Sequence, residues 1–129
     1  MRALIVDDSR AMRRIVGRIL VDAGFEILEA GDGQEALDVL NAQDDELPVL
    51  ACVDWNMPVM DGLTFITHVR KQVEWRSITL MMVTTESEQG QIVRALAAGA
   101  HEYVIKPFTP EAIRDKLQLL GLVELQESA

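Results

Sequence analysis

A single cysteine, Cys52, is all the thiol in this chain, so no internal disulfide framework exists. With Cys52 inside an apolar run, a reduced, cytoplasmic setting follows by default. Basic residues are also scarce. Twelve Lys and Arg face 21 Asp and Glu, for a formal net charge of −9. That balance argues against a nucleic-acid surface, which needs clustered cations, and fits a cation or a basic protein surface as partner. No apolar run approaches the ~20 residues of a membrane span. The start, Met1 to Asp8, is too short and too soon acidic to be a leader, so no membrane insertion is expected. Linkers, low-complexity stretches and a second compositional block are absent too. At 129 residues the chain reads as one domain over residues 1–121, with a short frayed tail over 122–129.

What is there alternates. Apolar runs at 2–6, 25–30, 48–53, 78–83 and 103–105 are of strand length. Between and after them, residues 10–23, 34–42, 62–73, 89–98 and 110–120 carry apolar positions at helical spacing. Ser9 is placed to cap the first helix and Asp61 the third; Gly24, Gly99 and Gly121 stand where helices stop, and Pro110 opens the last. Five βα units imply an α/β fold, a doubly wound (βα)5 three-layer sandwich on a five-stranded parallel sheet. A closed barrel needs more units than this length allows.

The run Val53-Asp54-Trp55-Asn56-Met57-Pro58-Val59-Met60-Asp61-Gly62 is the organising stretch. An uninterrupted apolar strand ends there at an acid, and the Pro and Asp-Gly signals then turn the chain out of the sheet. Open α/β sheets place ligand chemistry at such carboxyl ends. The other strand ends offer Asp7 and Asp8, Thr84 and Lys106. In a parallel sheet these share one edge, so three acids, a hydroxyl and an ammonium are expected to converge.

Two unit charges about 5 Å apart repel by roughly 3 kcal/mol at an effective dielectric of 20. One ammonium cannot balance three such acids, whereas a hard divalent cation can, and Mg²⁺ suits carboxylate, carbonyl and water ligands. Asp8 and Asp54 are the expected direct ligands, with Asp7 bound directly or through water and the Asn56 backbone carbonyl contributing a third protein ligand. A carboxylate beside such an ion can act as a nucleophile toward phosphorus. Asp54 is then the acceptor, with Lys106 and Thr84 serving the phosphoryl oxygens.

The residues Val6-Asp7-Asp8, the run Asp54-Trp55-Asn56-Met57-Pro58 with Met60-Asp61-Gly62, Thr84, Tyr103 and Lys106-Pro107-Phe108 resemble a receiver domain of a two-component response regulator. The Met12-Arg13-Arg14-Ile15-Val16 run and the Asp54-Trp55-Asn56-Met57-Pro58 run most resemble the stand-alone chemotaxis regulators. The resemblance spans essentially the whole chain. It implies the flavodoxin-like strand order 2-1-3-4-5, phosphorylation of Asp54 by a sensor histidine kinase with Mg²⁺, and a cis peptide at Lys106-Pro107. It implies a switch in which Thr84 moves toward the phosphoryl group and Tyr103 turns inward. The α4-β5-α5 face, with Ile92, Tyr103 and Lys116, then changes its partner. Asn56 and Glu86 match positions that tune phosphoryl lifetime, and Thr85, often smaller in the family, implies a tighter switch pocket. On this reading the chain is a signalling switch and not an enzyme, probing a target such as the flagellar motor switch as a monomer whose folded surface is its output.

Alternatives differ in class. A phosphorelay intermediate or sink would pass phosphate to a histidine phosphotransfer protein. A small-molecule phosphatase of the haloacid dehalogenase type would need Asp-x-Asp after the first strand, where this chain has Asp7-Asp8-Ser9. A flavodoxin-like cofactor binder would need a Gly-, Ser- or Thr-rich phosphate loop there. Other conspicuous residues read as bland: Cys52 as a buried small hydrophobe, Met12, Met57, Met60, Met81 and Met82 as packing, His68 and His101 as surface residues. Trp55 is either a partly exposed lid or packing.

Overall fold

Apolar strands that need cover on both faces pair side by side, and the computed structural model describes how for residues 1–43, 46–85 and 89–123. Strands β1 (Arg2–Val6), β2 (Glu26–Ala30), β3 (Leu50–Val53), β4 (Thr79–Thr84) and β5 (Glu102–Ile105) form one parallel sheet in the order β2-β1-β3-β4-β5. Helices α1 (Arg10–Asp22), α2 (Gly33–Asn41), α3 (Gly62–Lys71), α4 (Gln89–Ala98) and α5 (Pro110–Leu119) cross over between and after them. The expected doubly wound fold and strand order are both found.

Side-chain alternation along the strands divides the interior in two. Leu4, Val6, Ala51, Val53, Leu80 and Met82 pack with Ala36 and Leu40 of α2, Phe65, Ile66 and Val69 of α3, and Ala95 of α4. Ala3, Ile5, Leu50, Cys52, Met81 and Val83 pack with Val16, Ile19 and Leu20 of α1 and Ile113 and Leu117 of α5. The central strands β1, β3 and β4 therefore lie buried between two helical layers, which is why they are almost continuously apolar, whereas the edge strand β2 exposes Glu26 and Glu29.

The helix ends explain where the observed boundaries differ from those expected. Ser9 caps α1 through a bond from the Met12 N–H, Asp61 caps α3 through Thr64, and Thr109 caps α5 ahead of Pro110. At the end of α1 the Gly24 N–H bonds to Val21 O and the Phe25 N–H to Leu20 O, with Gly24 at φ 102°. This closure commits Phe25 to the helix terminus, so β2 starts at Glu26 instead of Phe25. α4 and α5 end by the same pair of bonds at Gly99 and Gly121. The last of these draws Leu122 and Val123 back against the core under α1 and α5, where a frayed tail had been expected from 122. α3 stops at Lys71 rather than 73. A single 3-10 turn, Val73–Trp75, follows it and drives Trp75 into the core, a feature the helical spacing did not suggest.

His101, expected at the surface, is found there with a structural part as well. Its ring is largely exposed, but Nδ1 accepts the Leu80 backbone N–H at 3.1 Å and lies 3.2 Å from Arg70 Nη2. The same guanidinium donates to the carbonyls of Gly99, Arg76 and Ile78. His101 thus helps dock the start of β5 onto β4. Burial and the neighbouring Arg70 charge both hold its pKa below the ordinary 6.5. The folded chain therefore resists a proton that the unfolded chain accepts. Stability should be unaffected by this group above pH 6.5 and should decline as pH falls below it. Urea midpoints measured across pH 5 to 8 should show this decline, and His101→Asn, which keeps an acceptor but cannot titrate, should remove that component.

Candidate functional site

The sheet ladder runs one residue past the strand ends and fixes the residues that follow. The Asp7 N–H bonds to Ala30 O, the Asp54 N–H to Val6 O at 2.9 Å, and the Lys106 N–H to Thr84 O at 2.8 Å. Residues from β1, β3, β4 and β5 are thereby held at one rim. There, Lys106 Nζ lies 2.9 Å from Asp7 Oδ2 and 3.6 Å from Asp54 Oδ1, in a pair of ion contacts with little solvent exposure. The other Asp7 oxygen accepts the Ser9 N–H at 2.9 Å. Asp7 and Asp54 are buried and Asp8 is exposed, and one carboxylate oxygen from each lies within 4.8 Å of the others. Thr84, also buried, ends β4 at the same rim.

These placements bring together Asp7, Asp8, Asp54, Thr84 and Lys106 as the strand ends predicted. The electrostatic strain falls on Asp54. Burial raises its carboxyl above the usual range, Lys106 opposes that, Asp7 and Asp8 add to it, and the Trp55 backbone N–H opposes it. The donor set is all hard oxygen and carries more negative charge than one lysine offsets, so it fits a single Mg²⁺ or similar hard ion. An octahedral shell with bonds near 2.1 Å separates opposite oxygens by about 4.2 Å, the scale of this cluster.

The loop from β3 to α3 is tightly constrained. The Gly62 N–H bonds to Trp55 O at 2.9 Å, and a Cβ built on Gly62 would stand 2.3 Å from the Asp54 carbonyl oxygen. Only glycine lets α3 begin that close to the strand end. Between them the Met60 N–H returns to Pro58 O at 2.7 Å with Val59 at φ 70°, a γ-turn holding a β-branched residue in the left-handed region. Asn56 is exposed on this loop, two residues past Asp54. Trp55 is buried, which settles its reading as packing and not a lid. The Asp61-Gly62 turn signal marked Gly62 in the sequence, though not its closeness to the Asp54 carbonyl, and nothing local marked Val59.

The Lys106-Pro107 peptide is cis, as the resemblance implied. Beyond it, the three residues expected on one face are adjacent. Lys116 Nζ stands 5.0 Å from the centre of the Tyr103 ring and is held by Glu102 at 2.9 Å. Tyr103 and Ile92 line one small cavity with Trp55, Met82, Thr84, Gln91 and Ala95. Thr85 does not narrow this pocket as expected. Thr84, the last residue of β4, is buried, while Thr85, just past the strand, is exposed. Glu86 lies outside the described residues. Cys52 is fully buried and its thiol is pushed up to about 12, so it is inert as a nucleophile. No helix among the described residues is long and apolar enough to cross a membrane.

Residues 3–118 match the family described as the response regulator receiver domain. Among curated proteins, the chain is 40% identical over 121 residues to chemotaxis protein CheY1 of Helicobacter pylori strain ATCC 700392 / 26695, covering 93% of this chain and 96% of that one. It is 41% identical over 118 residues to chemotaxis protein CheY-3 of Vibrio cholerae, covering 91% and 88%. Among solved structures, Vibrio cholerae chemotaxis protein CheY4 crystallised at pH 4.0 superimposes with a TM-score of 0.83 at 36% identity, covering 92% of this chain and 96% of that one.

Two outcomes follow from the geometry. In chelator, Asp54→Asn should unfold at higher urea than the unaltered chain at pH 7, because it removes a buried charge the site holds unfavourably. That advantage should shrink as pH falls and Asp54 itself takes up a proton. Gly62→Ala should cost about 3 kcal/mol in the same assay, since the clash is with backbone that cannot step aside.

Proposed function

The chain belongs to the response regulator receiver family, and from that premise we propose that it is a phosphorylation switch of a two-component pathway whose acceptor is Asp54. The observation that carries the reading is Lys106 Nζ lodged between Asp7 and Asp54 at the open rim of the sheet. In the reaction, an Asp54 carboxylate oxygen attacks the phosphorus of a kinase phosphohistidine. The O–P bond forms as the N–P bond breaks, and the imidazole departs with the electron pair. Asp8 and Asp54, Asp7 directly or through water, and the Asn56 backbone carbonyl would hold Mg²⁺, which would neutralise phosphoryl charge there. Lys106 pairs with one phosphoryl oxygen, and the Thr84 hydroxyl donates to another.

The product state gives the rim a dianionic group where a single carboxylate stood. Thr84 is drawn toward it, which opens room behind for Tyr103 to turn inward, and the face carrying Ile92, Tyr103 and Lys116 is reshaped. Asn56 and Glu86 set how long the phosphoryl group survives hydrolysis. The likeness to chemotaxis proteins supports a cytoplasmic pathway of that kind, with a sensor histidine kinase upstream and a flagellar switch component as target. The phosphatase reading is disfavoured because both Asp7 oxygens are engaged, one by the Ser9 N–H and one by Lys106, leaving it poorly placed as a nucleophile.

Incubation with acetyl phosphate and Mg²⁺ should give close to one acid-labile phosphate per chain. Asp54→Asn should give none, and chelation should slow labelling by about 100-fold or more. Lys106→Arg should still be labelled but should bind its target no better than the unlabelled chain. Full labelling of the Asn variant, or undiminished labelling in chelator, would overturn the assignment.

A further inference from the structure

Among the described residues one buried side-chain polar atom has no hydrogen-bond partner: the amide oxygen Oε1 of Gln91. Buried polar atoms are almost always satisfied, because leaving one unpaired forfeits its hydration without return. Gln91 lies in the first turn of α4, and it lines the cavity that Tyr103 and Thr84 also line. The remaining walls are Trp55, Met82, Ile92 and Ala95, and they present only apolar surface to it. The space is about 10 Å³, at the lower limit for one water. An unpaired acceptor in a nearly dry pocket is matched to a donor that arrives in a different state of the protein.

Tyr103, a half-buried wall of that pocket, carries a hydroxyl that can donate. Tyr103 is now held from the outside. Lys116 lies over its ring at 5.0 Å, and Glu102 Oε1 fixes Lys116 at 2.9 Å while also accepting the Tyr103 backbone N–H at 3.0 Å. Resting on the switch reading above, we infer that Gln91 is a positioning residue for that switch: its Oε1 is the inner hydrogen-bond acceptor for the Tyr103 hydroxyl. The Glu102-Lys116 pair is the opposing outer station. The ring then has two defined stations, one a cation over its face and one a hydrogen bond in the pocket. Gln91 sets the energy of the second and Glu102 that of the first. Occupying the inner station satisfies the amide oxygen, fills the cavity and uncovers Lys116 for a partner's acidic group.

The chain contains one tyrosine, so 3-fluorotyrosine labelling gives a single fluorine signal reporting Tyr103. Mg²⁺ with beryllofluoride, a stable mimic of the acyl phosphate, should move that signal to a second position. Gln91→Met, similar in size but without an acceptor, should leave much of the signal at the resting position and weaken beryllofluoride affinity roughly fivefold, the worth of one hydrogen bond. Tyr103→Phe should weaken it to the same extent, and the double variant should be no weaker than either single one. Glu102→Gln should shift the resting signal toward the activated position without phosphate. Additive losses in the double variant, or a full signal shift in Gln91→Met, would overturn the inference while leaving the switch intact. Failure of the unaltered chain to show fluorine signals of bound beryllofluoride would instead remove the switch reading, and this proposal with it.

Discussion

Carboxylates crowded at one rim of a sheet repel, and here three of them share a site with one ammonium. Asp54 registers that crowding most, since burial and the charges of Asp7 and Asp8 outweigh what Lys106 and a backbone N–H give back. The rest of the fold can be understood as what keeps this arrangement from relaxing. The parallel ladder continues one residue beyond the strands and pins Asp7, Asp54 and Lys106 by their own backbone N–H groups. Gly62 seals the loop against the Asp54 carbonyl, leaving no slack through which the acid could swing to water. Acids that cannot separate are relieved by a cation, by a proton, or by conversion of one of them into something else.

The rim is connected to a protein surface through very little material. Thr84 ends β4 at the site and also walls the cavity under Tyr103. Gln91 closes the same cavity from α4, and Lys116 and Glu102 meet the ring from outside. A displacement of Thr84 is therefore felt by an aromatic ring across one layer of side chains. Packed interiors respond to such a change by switching between arrangements and not by yielding gradually. The small cavity beside Tyr103 and the unpaired amide oxygen of Gln91 lie at that point of contact.

The fold was readable in advance because its determinants are local. Apolar runs of strand length between amphipathic helices specify the layers, and Ser9, Asp61, Pro110 and the stop glycines specify most of the ends. The boundaries that differ are set by backbone bonds and core contacts that side-chain periodicity does not report. Phe25 belongs to the α1 terminus through its bond to Leu20, Trp75 leaves the helical phase to reach the core, and Leu122 and Val123 fold back. His101 carries no periodic signal at all; its role arises because α3 delivers Arg70 and β4 delivers the Leu80 N–H to the same spot.

The candidate site divides in the same way. The amino-acid sequence by itself determined which groups stand at the strand ends, Asp7, Asp8, Asp54, Thr84 and Lys106, because a parallel sheet necessarily collects its carboxyl ends on one edge. Only the tertiary structure decided that Lys106 bridges Asp7 and Asp54, that Glu102 holds Lys116 over Tyr103, and that Gln91 is left without a partner. Those facts depend on side chains meeting across separate elements, at separations of a few ångströms that no spacing along the chain encodes.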